Sequence, residues 1–121
     1  MFNSFLRRFT VYIIVALVAV SCNNQSNTNT PITIPGLIYT KHARCRMECR
    51  HITEREIREV ITENTINQRK SDPNGRPCPT TAYEGYTTEN QHLRIIIGKC
   101  DNKWKVVTCI DLENEFDCDC H

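Results

Sequence analysis

The chain has 121 residues, with 15 Lys and Arg against 14 Asp and Glu, and eight cysteines. A balance so near neutrality argues against a general nucleic-acid binder, and the length leaves room for one small domain behind a leader. Seven of the cysteines fall after residue 44, as expected of a thin-cored domain held by staples in an oxidising compartment.

At the start, Arg7 and Arg8 precede an apolar run from Phe9 to Val20, which ends in Ala19-Val20-Ser21-Cys22. Basic region, short apolar core and small residues are the layout of a secretory signal peptide. As a helix, a run of about 12 residues rises about 18 Å, short of the roughly 30 Å hydrocarbon layer, so a permanent membrane span is not expected. A cysteine directly after small residues is the place where a diacylglyceryl group is attached. The segment resembles that lipobox, with Ala19 where Leu is commonest. Residues 1–21 are therefore read as a lipoprotein signal peptide and Cys22 as the lipidated first residue of the mature chain. Loss of Arg7 and Arg8 leaves 13 basic against 14 acidic residues.

Residues 22–35, CNNQSNTNTPITIP, are dominated by Asn, Thr, Ser and Pro and read as a flexible tether. Residues 36–121 form the single cysteine-rich domain. Thr40 is placed to cap a first helix from about Lys41 to Arg50. Thr53 and Glu56 form a capping box for a second, Glu54 to about Glu63, with Ile52 and Ile57 at the positions of a hydrophobic staple. Thr65–Lys70 is expected as a short strand, and Ser71-Asp72-Pro73-Asn74-Gly75 as a turn. Strands are expected at Thr81–Thr87, His92–Cys100 and Lys103 to about Leu112, the last two joined through Asp101-Asn102. The class is α+β: two helices, then an antiparallel sheet of three to four strands.

In strand phase, Trp104, Val106, Thr108, Ile110, Leu112, Phe116, Cys118 and Cys120 share one face, while Asp111, Glu113, Glu115, Asp117 and Asp119 share the other. An extended segment docked by its apolar and thiol side is the expectation. The first helix, with Lys41, Arg44, Arg46 and Arg50 against Glu48 alone, is the natural counterpart of these acids. Cys45 and Cys49 lie about 6 Å apart along a helix, and Cys118 and Cys120 roughly 6.6 Å apart along a strand. Neither pair closes easily on itself, whereas each helix thiol can meet a tail thiol. A zinc site competes with this, since the same four cysteines with His42, His51 or His121 could supply tetrahedral ligands. The oxidising compartment favours disulfides, with Cys78 and Cys100 the next pair and Cys109 a buried free thiol.

The stretch Tyr39-Thr40-Lys41-His42-Ala43-Arg44-Cys45-Arg46-Met47, followed by Arg50-His51-Ile52-Thr53-Glu54-Arg55-Glu56-Ile57, resembles the start of the domain of unknown function 4258 family. That family tends to open on His-Ala-x-x-Arg-Met, an Arg, and an Ile-Thr or Ile-Ser helix start. Lys70-Ser71 and Val106-Val107-Thr108 also stand where similar residues recur. Members are functionally uncharacterised. Their order of elements is similar to that of the RelE and HigB toxins, small ribonucleases, an analogy that does not itself transfer activity.

His42, Arg46 and Arg50 recur at four-residue steps, so an imidazole could act as general acid or base beside guanidiniums that bind phosphate, with Lys70 and Thr108 completing a pocket. The competing reading has His42 at the helix start and the arginines paired with the acidic tail. Cys120 beside His121 is the remaining thiol-exchange candidate. The favoured function is a structural or interaction module in the cell envelope, on the inner or outer membrane. It would face the periplasm or cell surface, with an unidentified protein partner and no nucleic acid. A ribonuclease-like enzyme or its degenerate derivative is the alternative, and a zinc-binding or thiol-exchange module the second.

Overall fold

A computed structural model describes Ile34 and residues 36–121. The leader and nearly all of the tether, Cys22 among them, lie outside the described residues. In chain order the elements are β1 (Ile38–Tyr39), α1 (Lys41–Cys49), α2 (Glu54–Glu63), a 3-10 turn (Gln68–Lys70), β2 (Thr80–Tyr86), β3 (His92–Cys100) and β4 (Lys103–Asp111). The sheet order is β1-β4-β3-β2.

Both helices start and stop on local chemistry. The Thr40 side chain accepts from the Ala43 N–H, and Thr53 and Glu56 complete the reciprocal capping box of α2. Between the helices, His51 takes a left-handed φ of 55°, His51 N–H donates to Glu48 and Ile52 N–H to Met47, which closes α1 in a Schellman arrangement. Ile52 therefore serves twice, packing at the end of α1 and stapling the entry to α2, and it is buried with Ile57.

One face of the sheet receives the helices. Leu93, Ile95 and Ile97 of β3 stand beside Asp111, Cys109 and Val106 of β4, and Tyr83 of β2 lies beside Ile95. With Ala43, Met47, Ile57, Val60 and Ile61 these form the buried core, and Ile34 joins it from the end of the tether. α2 approaches β2 closely enough that a Cβ on Gly85 would stand 2.6 Å from the exposed Glu63 carboxylate, so a side chain there would make Glu63 swing aside. Asp101 and Asn102, with φ of 50° and 60°, make the tight β3–β4 turn.

Three expectations need correction. The sheet is mixed, because β1 precedes the helices and pairs parallel to β4 through Ile38–Lys105 and Tyr39–Val106. Thr65–Lys70 is no strand: Ile66 makes one bridge to Tyr83, and Asn67 accepts the N–H groups of Arg69 and Lys70 to start the 3-10 turn. The single phase from Trp104 to Leu112 is broken by a bulge, since Ile96 pairs with Thr108 but Ile97 with Val106. The extra residue, Val107, turns Thr108 and Ile110 away from the helices and sends Cys109 and Asp111 inward.

Beyond the ladder, the outward flanks of β4 and β2 are also hydrogen-bonded. On β4, Val106 and Val107 carbonyls accept from the N–H and hydroxyl of Thr40. On β2, the segment 65–72 supplies partners to the backbone of Thr80, Ala82 and Glu84.

Candidate functional site

The chemistry-bearing residues concentrate where α1, the end of β4 and the C-terminal tail meet. Asp111 starts the tail: its carboxylate accepts the N–H groups of Glu113 and Asn114 at 3.0 and 2.9 Å and the Asn114 side chain at 3.2 Å. The tail then runs back along α1. Cys118 is bonded to Cys49 and Cys120 to Cys45, with Cα separations of 5.9 and 5.8 Å, and Phe116 meets the His51 ring edge-on. A third bridge joins Cys78 to Cys100. Cys109 is a free thiol, fully buried.

Zinc would need the four α1 and tail sulfurs as thiolates, whereas here they are joined in pairs. Among the described residues, no group of three or more His, Cys, Asp or Glu is arranged to hold a metal. His121 is exposed and contacts Asp119 beside the buried Cys120.

His42, Arg46 and Arg50 lie on the flank of α1 between its core face, Ala43 and Met47, and its cysteine face. Arg46 Nε donates to His42 Nε2 at 3.4 Å, which requires the imidazole proton on Nδ1. Arg50 Nη1 donates to the Cys109 carbonyl. Burial, and then the like charge of Arg46, lowers the Arg50 pKa. Burial pushes the Cys109 thiol up to about 11, against the lowering pull of the two arginines. For Asp111, burial raises the pKa, but the two N–H groups, the Asn114 side chain and Arg50 together outweigh it and hold the carboxyl below its usual range.

The other two catalytic candidates stand elsewhere. Lys70 is exposed in the 3-10 turn, which packs on β2, while α1 packs on β4, with β3 between. Thr108 is on the far face because of the bulge. The five-residue pocket drawn from the sequence is thus reduced to a three-residue cluster. Near Lys70 an open cleft of about 250 Å³ is lined by Ile66, Gln68, Ser71, Pro73, Pro79, Thr80 and Thr81.

The expected pairing of basic helix with acidic tail is also corrected. The bridges hold them together, yet the ion pairs found are Arg44–Glu54, Arg55 with Glu59 and Glu89, and Arg94–Glu84, beside the histidine–carboxylate contacts His92–Glu113 and His121–Asp119. None joins α1 to the tail. Two polar groups escaped sequence reasoning, and a third, the capping-box Glu56, has a partner it did not show. Glu84 accepts from Arg94 and Asn67 at 2.5 and 2.8 Å. Tyr86 stacks on His92 at 4.2 Å and donates to Glu113 at 3.0 Å. The fully buried Glu56 also accepts from Thr87, at 3.4 Å. The Glu84–Arg94 and Tyr86–His92 pairs follow from the hairpin register, which the β2–β3 turn would have disclosed.

The family model for DUF4258, a domain of unknown function, matches residues 39–111, and the chain belongs to that family. No curated protein and no solved structure matches it.

Proposed function

We propose that this member of the family is a lipid-anchored envelope protein whose small domain serves as a structural or interaction module on the periplasmic or outer side of a membrane. The observation that supports this is the state of its cysteines: six of the seven that follow the tether stand in three bridges, a usage that suits an oxidising compartment. It agrees with the Arg7-Arg8 leader and the Ala-Val-Ser-Cys22 segment, which lie outside the described residues. No helix among the described residues is long and apolar enough to cross a membrane. Three acyl chains on Cys22 would hold stably where one is marginal. Labelled palmitate should enter the wild-type chain and not Cys22→Ser, which should leave the membrane fraction. Absence of label from the wild type refutes the anchor.

A ribonuclease-like enzyme is the second reading, favoured by the clustering of His42, Arg46 and Arg50 and weakened by the separation of Lys70 and Thr108. It requires RNA cleavage by the purified protein that His42→Ala removes at unchanged stability.

A further inference from the structure

We propose that the flank of α1 carrying His42, Arg46 and Arg50 binds a phosphate-type oxyanion, with the two guanidiniums as its cationic wall. The inference starts from charges left without partners. Arg44 is occupied, reaching Glu54 at 3.4 Å and lying over the Tyr39 ring at 5.1 Å. Arg46 and Arg50 meet no carboxylate within 4.0 Å among the described residues, although four acids of the tail are tied to the same helix by two bridges. Glu113, Glu115, Asp117 and Asp119 are all exposed instead. Asp111, the acid that acts on Arg50 through space, has its oxygens taken by the start of the tail.

Two guanidiniums one helical turn apart repel each other, and both are half-buried. An anion between them removes that cost. Their donors are already aimed in part: Arg46 is fixed through Nε by His42 and Arg50 through Nη1 by the Cys109 carbonyl. The Nη groups of Arg46 find no acceptor among the described residues and remain for a ligand. A single carboxylate matches one guanidinium fork. A tetrahedral group with three or more oxygens can engage two forks and an imidazole at once, so phosphate chemistry is the better match. The group could come from a phospholipid head at the membrane surface or from a soluble phosphate. The first source rests on the lipid anchor proposed above, and the site itself does not.

The test uses the mature chain in neutral detergent with its bridges intact. Arg Nε–H and His ring NMR signals are followed during titration with sodium phosphate at constant ionic strength. Saturable shifts at His42, Arg46 and Arg50 are expected, weakened about tenfold in Arg46→Gln and in Arg50→Gln, as loss of one charge-assisted hydrogen bond implies, and unchanged in Lys41→Gln and Arg44→Gln. Mixed micelles of that detergent with phosphatidylglycerol, set against phosphatidylcholine, separate the sources: competition with phosphate assigns the lipid head, and inert micelles assign a soluble phosphate. Shifts that do not saturate, or that are equally large at Arg44, overturn the site. So does binding of single-stranded RNA without binding of phosphate. Should Cys22 prove unlabelled by palmitate while phosphate still saturates these residues, the anchor fails and the site stands.

Discussion

The two bridges between α1 and the tail should be strongly non-additive, and the topology says by how much. Cys49–Cys118 and Cys45–Cys120 span 69 and 75 residues. In the chain-entropy model a loop of that length stabilises by about 4 kcal/mol. The bridges are nested, however. Once one is closed, the other adds a ring containing only the four-residue step of α1 and the two-residue step of the tail, roughly 2 kcal/mol by the same relation. Removing either bridge alone, as Cys45→Ala with Cys120→Ala or Cys49→Ala with Cys118→Ala, should therefore cost about 2 kcal/mol. The fourfold variant should lose about 6 kcal/mol, near the whole stability of a small domain. The surplus over the two paired variants, about 2 kcal/mol, is the coupling. Denaturant unfolding followed by fluorescence of Trp104, the single tryptophan, measures all four states. Losses from the paired variants that simply add up to the fourfold loss would refute the nested arrangement.

Two further outcomes can be checked independently. Thr53→Ala removes the α2 cap and one hydroxyl from the buried Glu56 carboxylate, so a loss of about 2 kcal/mol is expected by thermal unfolding, whereas Thr62→Ala, on the exposed side of the same helix, should cost under about 1 kcal/mol. Cys109 makes the protein alkali-sensitive: its thiol is held at about 11 against an ordinary 9.0, so the native state keeps a proton that the unfolded state releases. Stability from this group is complete below pH 9.0 and falls as pH rises through about 11; Cys109→Ala should flatten that slope, and an unchanged slope would contradict it.

How far the sequence disclosed this molecule varies with the range of the interaction concerned. The two helices are legible because their caps are local: Thr40, Thr53 and Glu56 act within three residues of where they stand. The α1–tail bridges follow from two short spacings that match, four residues on a helix and two on a strand. The parallel strand β1 does not show, since a two-residue segment has no period of its own and exists only by pairing with β4. The bulge at Val107 is equally silent, because Val106-Val107-Thr108 reads as an unbroken strand and only the partner strand reveals the extra residue. The misplacement of Thr108 in the candidate site comes from that one residue. The missing ion pairs between helix and tail have another cause. Opposite charge predicts nearness, but the tail is seated by Cys118, Cys120 and Phe116, which fix its acids on the other side.

The hydrogen bonding along the outer edges of β2 and β4 bears on how copies of the domain would tolerate crowding. A bare strand edge is a template on which a neighbour's strand can add, and β3 and β4, with Ile95-Ile96-Ile97 and Val106-Val107, are the sort of segment that such addition propagates. Here the loop 65–72 lies along one flank of the sheet, and β1, Thr40 and the Arg50 guanidinium lie along the other. The anchor proposed above would confine copies to a membrane surface and raise the frequency with which they collide. Sheathed flanks oppose the strand addition that such crowding would promote, and the sheath is thinnest at the two-residue strand β1.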